Sequence, residues 1–94
     1  MPRPTLDAFI ASARKALVNI EIVEGELAVF DAKGASFNFY SDGMVDSLDM
    51  LDVVFYIDQE LGVKLAIEKL MHGEEPMTVQ NLYDSIRQAA EAPA

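Results

Sequence analysis

The sequence predicts an all-α domain, a small four-helix bundle of three long helices and one short one with a long first connection. Three observations lead there. Apolar residues recur at steps of three and four in three separate stretches, and each of those stretches opens on a side-chain oxygen suited to capping. The chain has 94 residues, 51% of them hydrophobic, enough for one core but not for two. Residues 1–94 are therefore expected to form a single domain, with its core between about residues 5 and 90.

From Thr5 to Asn19, Leu6, Phe9, Ile10, Ala13, Ala16 and Leu17 follow a helical period, and Thr5 stands after Pro4 as the N-cap. The segment from Glu21 to Val45 reads in two ways. Glu26-Leu27-Ala28-Val29-Phe30 and Ser36-Phe37-Asn38-Phe39-Tyr40 have strand-like composition around an Asp31-Ala32-Lys33-Gly34 turn, which would make a small hairpin. The other reading, favoured because an isolated hairpin is marginal in water, is a long connection pinned to the core by Phe30, Phe37 and Phe39.

Asp42 and Gly43 break what precedes the second helix, Asp46 or Ser47 caps it, and Gly62 stands where a left-handed C-terminal residue is expected. Its apolar stripe is read as Leu48, Leu51, Val54, Ile57 or Phe55, and Leu61. Val63 to Leu65 then reads as extended, and Ala66 to His72 as a short helix using Ile67, Leu70 and Met71 and ended by Gly73. After a polar connection through Pro76, Thr78 caps a last amphipathic helix carrying Val79, Leu82, Tyr83, Ile86 and Ala90, and Ala92-Pro93-Ala94 is expected to fray.

Charge narrows the function classes. The formal net charge is -9 and the seven cationic side chains are scattered, which argues against nucleic acid as a partner and for a basic protein surface. Arg3, Arg14 and Lys15 outweigh Asp7 near the start, whereas the second helix holds no Lys or Arg between Asp46 and Leu61. No apolar run has membrane-spanning length, and Met1-Pro2-Arg3-Pro4 lacks the hydrophobic segment of a signal peptide, so the expectation is a cytoplasmic monomer without membrane insertion. The absence of Cys and the single His72 exclude a disulfide framework and a thiolate or histidine metal cage. The aspartates do not follow a calcium-loop pattern, and the glycines are too dispersed for a phosphate cradle.

The informative triplet is Asp46-Ser47-Leu48, where a turn-rich loop meets an acidic helix. Asp46, Asp49 and Asp52 crowd the first turns, where the helix dipole favours anions, and Asp58 and Glu60 extend the negative face. An exposed serine among carboxylates suits a modification site better than a nucleophile. Hydrolysis would need a base, and nothing in the spacing brings His72 to Ser47. An Asp-Ser pair at a helix start is also a common cap, so the triplet alone decides nothing.

The run from Asp46 through Val63, with its Asp-Ser-Leu start and following acids, resembles the second helix of acyl carrier proteins, looser likeness continuing into the last helix. The resemblance implies that Ser47 bears 4'-phosphopantetheine donated by coenzyme A, with Asp46 and Leu48 beside the attachment point. It also implies a partner surface of Asp49, Met50, Asp52, Phe55, Asp58 and Glu60. The implied partners are a phosphopantetheinyl transferase, an acyl- or aminoacyl-loading enzyme, and an acyltransferase or synthase. Such a protein is not an enzyme. It carries an acyl group as a thioester between enzymes of fatty acid or lipid metabolism.

Ser47 to Lys69 is most similar to specialised carriers that deliver very long fatty acids to lipid A. Gly43-Met44-Val45-Asp46-Ser47, by contrast, resembles the entry of aminoacyl and D-alanyl carriers. An aminoacyl or peptidyl carrier is thus one alternative. An unmodified acidic adaptor binding a basic surface is another.

Overall fold

A computed structural model describes residues 3–87. The described chain is mostly helical, as expected for an all-α bundle. In chain order it forms α1 (Leu6–Asn19), α2 (Glu24–Lys33), a 3-10 turn (Gly34–Ser36), α3 (Ser47–Leu61), β1 (Lys64–Leu65), α4 (Glu68–Met71), α5 (Val79–Asp84) and β2 (Ile86–Arg87).

In α1, Thr5 Oγ1 accepts the Ala8 N–H at 3.1 Å, satisfying one of the donors a helix start leaves orphaned. Phe9, Ser12, Ala13, Ala16 and Leu17 are its buried residues, a spacing that lays one narrow face on the core. The small residues in that face allow α3 to lie close along it.

The connection from Glu21 to Val45 is neither a hairpin nor wholly irregular, because its first half is the ten-residue helix α2. Strand composition was outweighed by terminal charge: Glu24 and Glu26 occupy the first turn and Lys33 the last, each complementing the helix dipole. Phe30 is the only residue that α2 buries fully. Arg14 on α1 grips Asp31 with two bonds of 2.8 and 3.0 Å, which raises the Arg14 pKa and lowers that of Asp31, in both chiefly through their mutual hydrogen bond. Phe30, Phe37 and Phe39 do pin the segment. Their rings stack edge to face at 5.1 and 5.5 Å between centroids, inside the core.

The last helix is shorter than its pattern suggests. It starts as expected, with Thr78 Oγ1 accepting the Asn81 N–H, but it ends at Asp84, where the Ser85 hydroxyl donates to the Leu82 carbonyl at 2.7 Å. Ile86 then leaves the helix and pairs with Leu65 in a two-stranded antiparallel ladder, with Lys64 opposite Arg87. A core position was thus met by a strand where periodicity called for a helix. Ala90 and the expected fraying of Ala92-Pro93-Ala94 lie outside the described residues.

Candidate functional site

The site is built on the start of α3, and the loop before it is held from several sides. Phe39 N–H donates to the Met77 carbonyl and Val79 N–H to the Phe37 carbonyl, each at 2.9 Å, so this stretch is tied to the entry of α5. Asn38 Oδ1 accepts from the Tyr40 and Ser41 N–H groups, forming a tight turn. The Asp42 carboxylate closes it, accepting from Asn38 N–H and from Lys33 Nζ on α2 at 2.9 Å each. Those bonds hold the Asp42 carboxyl below the usual carboxylate range, the backbone N–H being the larger cause. Val45 N–H returns to the Phe39 carbonyl.

Two residues carry special demands. At Gly43 a Cβ would lie 2.7 Å from the Phe37 ring and 3.0 Å from the Phe39 carbonyl oxygen, so only glycine fits this approach. Met44 has φ 55, a left-handed conformation that is uncommon outside glycine, and the residue is 74% exposed.

Asp46 is the cap of α3, its Oδ1 accepting the Asp49 N–H at 2.8 Å. That leaves Ser47 as the first helical residue, exposed, with no hydrogen bond from its hydroxyl among the described residues. Leu48 follows at 76% exposure. Gly62 closes α3 in the left-handed conformation, as expected.

The faces of α3 differ from those read in the sequence. Met50, Val53, Val54 and Ile57 are buried, while Leu48, Leu51 and Phe55 stand out in solvent. The stripe is rotated because α3 is apolar on two sides, and periodicity alone cannot say which side meets α1. Met50 therefore belongs to the core and not to a partner surface; it is 0% exposed.

The acids divide as well. Asp49, Asp52 and Glu60 recur with Tyr56 at steps of three and four on one face of α3. Asp58 lies off that face, where its carboxylate accepts the Leu65 N–H at 3.2 Å and supports β1. Burial pushes the Asp58 carboxyl up, against the Leu65 bond and nearby Lys64. Glu60 is paired with Lys15 of α1 at 3.3 Å. Asp52 has no ion pair among the described residues. What emerges is an exposed apolar row, Met44, Leu48, Leu51 and Phe55, beside a shorter acidic row than expected. Met44 and Leu51 were not foreseen as site residues; for Leu51 the signal was its place three residues after Leu48.

The Ser47 and Leu48 N–H groups at the positive end of α3 have no partner among the described residues, and no acid is bonded to the hydroxyl. Among the described residues no three His, Cys, Asp or Glu gather to hold a metal ion. No described helix is long and apolar enough to cross a membrane.

The structure thus presents Ser47 exposed at the start of an acidic helix. Over 25 residues the chain is 60% identical to an acyl carrier protein, AcpXL of Rhizobium etli, a match spanning 27% of this chain and 27% of that relative. Its resemblance to acyl carrier proteins, and to a specialised one, thus has support beyond the triplet. No family model matches the chain, and no solved structure matches it.

Proposed function

We propose that this protein is an acyl carrier whose Ser47 bears 4'-phosphopantetheine. One observation carries the reading: Ser47 is an exposed, unbonded hydroxyl on the first turn of an acidic helix, with the cap supplied by its neighbour Asp46. Because Asp46 satisfies the Asp49 N–H, the serine is free to be modified without unravelling the helix. In that modification the Ser47 oxygen bonds to the pantetheine-bearing phosphorus of coenzyme A. The phosphoanhydride bond breaks, adenosine 3',5'-bisphosphate leaves, and the hydroxyl proton passes to a base of the transferase. The free N–H groups of Ser47 and Leu48 favour the resulting phosphodiester at the helix start. When bound, the arm supplies the thiol that holds an acyl group as a thioester.

The chain's own work is presentation. Met44, Leu48, Leu51 and Phe55 offer apolar contact, and Asp49 and Asp52 offer charge to basic residues on the transferase and on loading and acceptor enzymes in the cytoplasm. The likeness to a relative named as an acyl carrier, taken with the resemblance of Ser47 to Lys69 to carriers of very long fatty acids, supports a fatty acyl cargo in specialised lipid synthesis over an aminoacyl one. A fatty chain entering the core would meet Val54, Ile57 and Leu82, and would gain roughly 0.8 kcal/mol per buried methylene.

The test is the intact mass before and after incubation with coenzyme A and a broad-specificity transferase. One added arm, absent from Ser47→Ala, supports the carrier reading. A folded protein that takes no arm from several transferases is an adaptor instead.

A further inference from the structure

The chain has no Cys and five Met, so a thioether is its softest nucleophile and the first group of its own that an oxidant meets. The described methionines are not equivalent. Met50 and Met77 are buried, at 0% and 2% exposure. Met71 is half-buried, and its sulfur already accepts the Tyr40 hydroxyl at 3.4 Å. Met44 stands in solvent, and no hydrogen bond reaches its sulfur among the described residues.

That exposure is built into the loop. On one side Gly43 packs against the Phe37 ring with no room for a Cβ; on the other, Val45 is buried and its N–H donates to the Phe39 carbonyl. Between these anchors the backbone turns left-handed at Met44, which holds the side chain outward three residues before Ser47. Gly or Asn fills such a position at lower cost, and Met44 is no part of the core, so neither backbone nor packing accounts for a methionine here.

We propose that Met44 is a reversible oxidation site, converted by peroxide to the sulfoxide, and that this conversion slows the chemistry at Ser47. In the reaction the Met44 Sδ lone pair attacks one oxygen of hydrogen peroxide and the O–O bond breaks. An S–O bond forms, the sulfur gives up an electron pair, and the other oxygen leaves as water, taking the proton of the transferred oxygen. The thioether becomes a polar, chiral group that sulfoxide reductases can restore. It stands at the end of the apolar row Met44, Leu48, Leu51 and Phe55 nearest the serine, so an enzyme approaching Ser47 meets a dipole in place of an apolar side chain. The fold is left intact, because Met44 lies outside the core. The effect on Ser47 rests on the carrier reading, whereas the selectivity of oxidation rests on exposure alone.

The experiment treats the full chain, before any arm is attached, with limiting hydrogen peroxide and locates the added oxygen by peptide mass mapping. Sulfoxide should form at Met44 about ten-fold faster than at Met50, Met71 or Met77, and that preference should vanish in urea-unfolded chain. Once the peroxide is removed, the oxidised protein is offered coenzyme A and a transferase. Its rate of modification at Ser47 should fall about two- to five-fold and recover after a methionine sulfoxide reductase. Met44→Leu, compared with its own untreated rate, should show no fall. Equal oxidation at all four methionines of the folded protein, or an unchanged rate in protein fully oxidised at Met44, would overturn the proposal. A protein that takes no arm even when untreated refutes the carrier reading and the switch with it, while the oxidation map still decides the site.

Discussion

Gly43 gives the sharpest test of how the serine is presented. In Gly43→Ala the new methyl would sit 2.7 Å from Phe37 Cζ, 3.1 Å from Phe37 Cε2 and 3.0 Å from the Phe39 carbonyl oxygen. The ring has little room to yield, since Phe37 is fully buried and stacked between Phe30 and Phe39. Nor can the Phe39 carbonyl retreat freely, because it accepts the Val45 N–H that closes the loop. Overpacking of this kind costs about 1–3 kcal/mol. For a domain of this size that corresponds to a fall in Tm of about 4–8 °C per kcal/mol. Gly25→Ala is the internal comparison: it sits in α2 with nothing within 4 Å of the added methyl, and should stabilise by about 0.5–1 kcal/mol through helix propensity. Thermal and urea unfolding of both variants measure the contrast, and the modification rate of folded Gly43→Ala should drop as the loop before Ser47 shifts. A Gly43→Ala protein as stable as the parent would refute the claim that the loop is sterically locked.

Other outcomes follow from the same geometry. Asp46→Ala should cost about 0.5–2 kcal/mol in urea unfolding as the α3 cap is lost; Ser47→Ala should stay within about 0.5 kcal/mol, and equal losses would mean that the cap is misassigned. Asp42 and Asp31 titrate below the ordinary 3.8 in the fold, so their stabilisation is fully present above that value and is lost as pH falls through their lower folded values. Asp58, raised by burial, has the opposite sign: between its folded value and 3.8 the fold binds the extra proton, and stability from this group rises as pH falls. Asp58→Asn should therefore remove a gain on mild acidification, visible as a changed urea midpoint against pH. Asp52→Lys should slow modification far more at low salt than at high salt, whereas equal slowing at both would exclude electrostatic docking there.

The sequence disclosed the elements whose ends carry chemistry. Thr5, Asp46 and Thr78 each accept the N–H three residues on, and Gly62 turns left-handed where α3 stops. Caps are local, so neighbours in sequence suffice to reveal them. What stayed hidden depends on packing at a distance. α2 buries one side chain and so shows no apolar stripe. α3 has apolar residues on two faces, and only the approach of α1 selects Met50 and Val53 over Leu48 and Leu51. Ile86 fits a helical period equally well, but Leu65, twenty-one residues earlier, draws it into a ladder. The candidate site was legible at Ser47 and Asp46, while the turning of Asp58 to Leu65 and of Glu60 to Lys15 needed three dimensions.

The slight anchoring of α2 sets a hierarchy of opening. A helix secured by Phe30, by the partly buried Leu27 and by ion pairs at Asp31 and Lys33 can detach for roughly 1.5–3 kcal/mol per apolar side chain exposed, less than unfolding α1 from α3. Its amides should then exchange with deuterium well ahead of those in the α1 and α3 pair. Lys33, at the end of α2, holds Asp42 in the loop that leads to Ser47. Each excursion of the helix would release one tether of that loop, so the backbone beside the modified serine would breathe at a rhythm set by an element a dozen residues upstream.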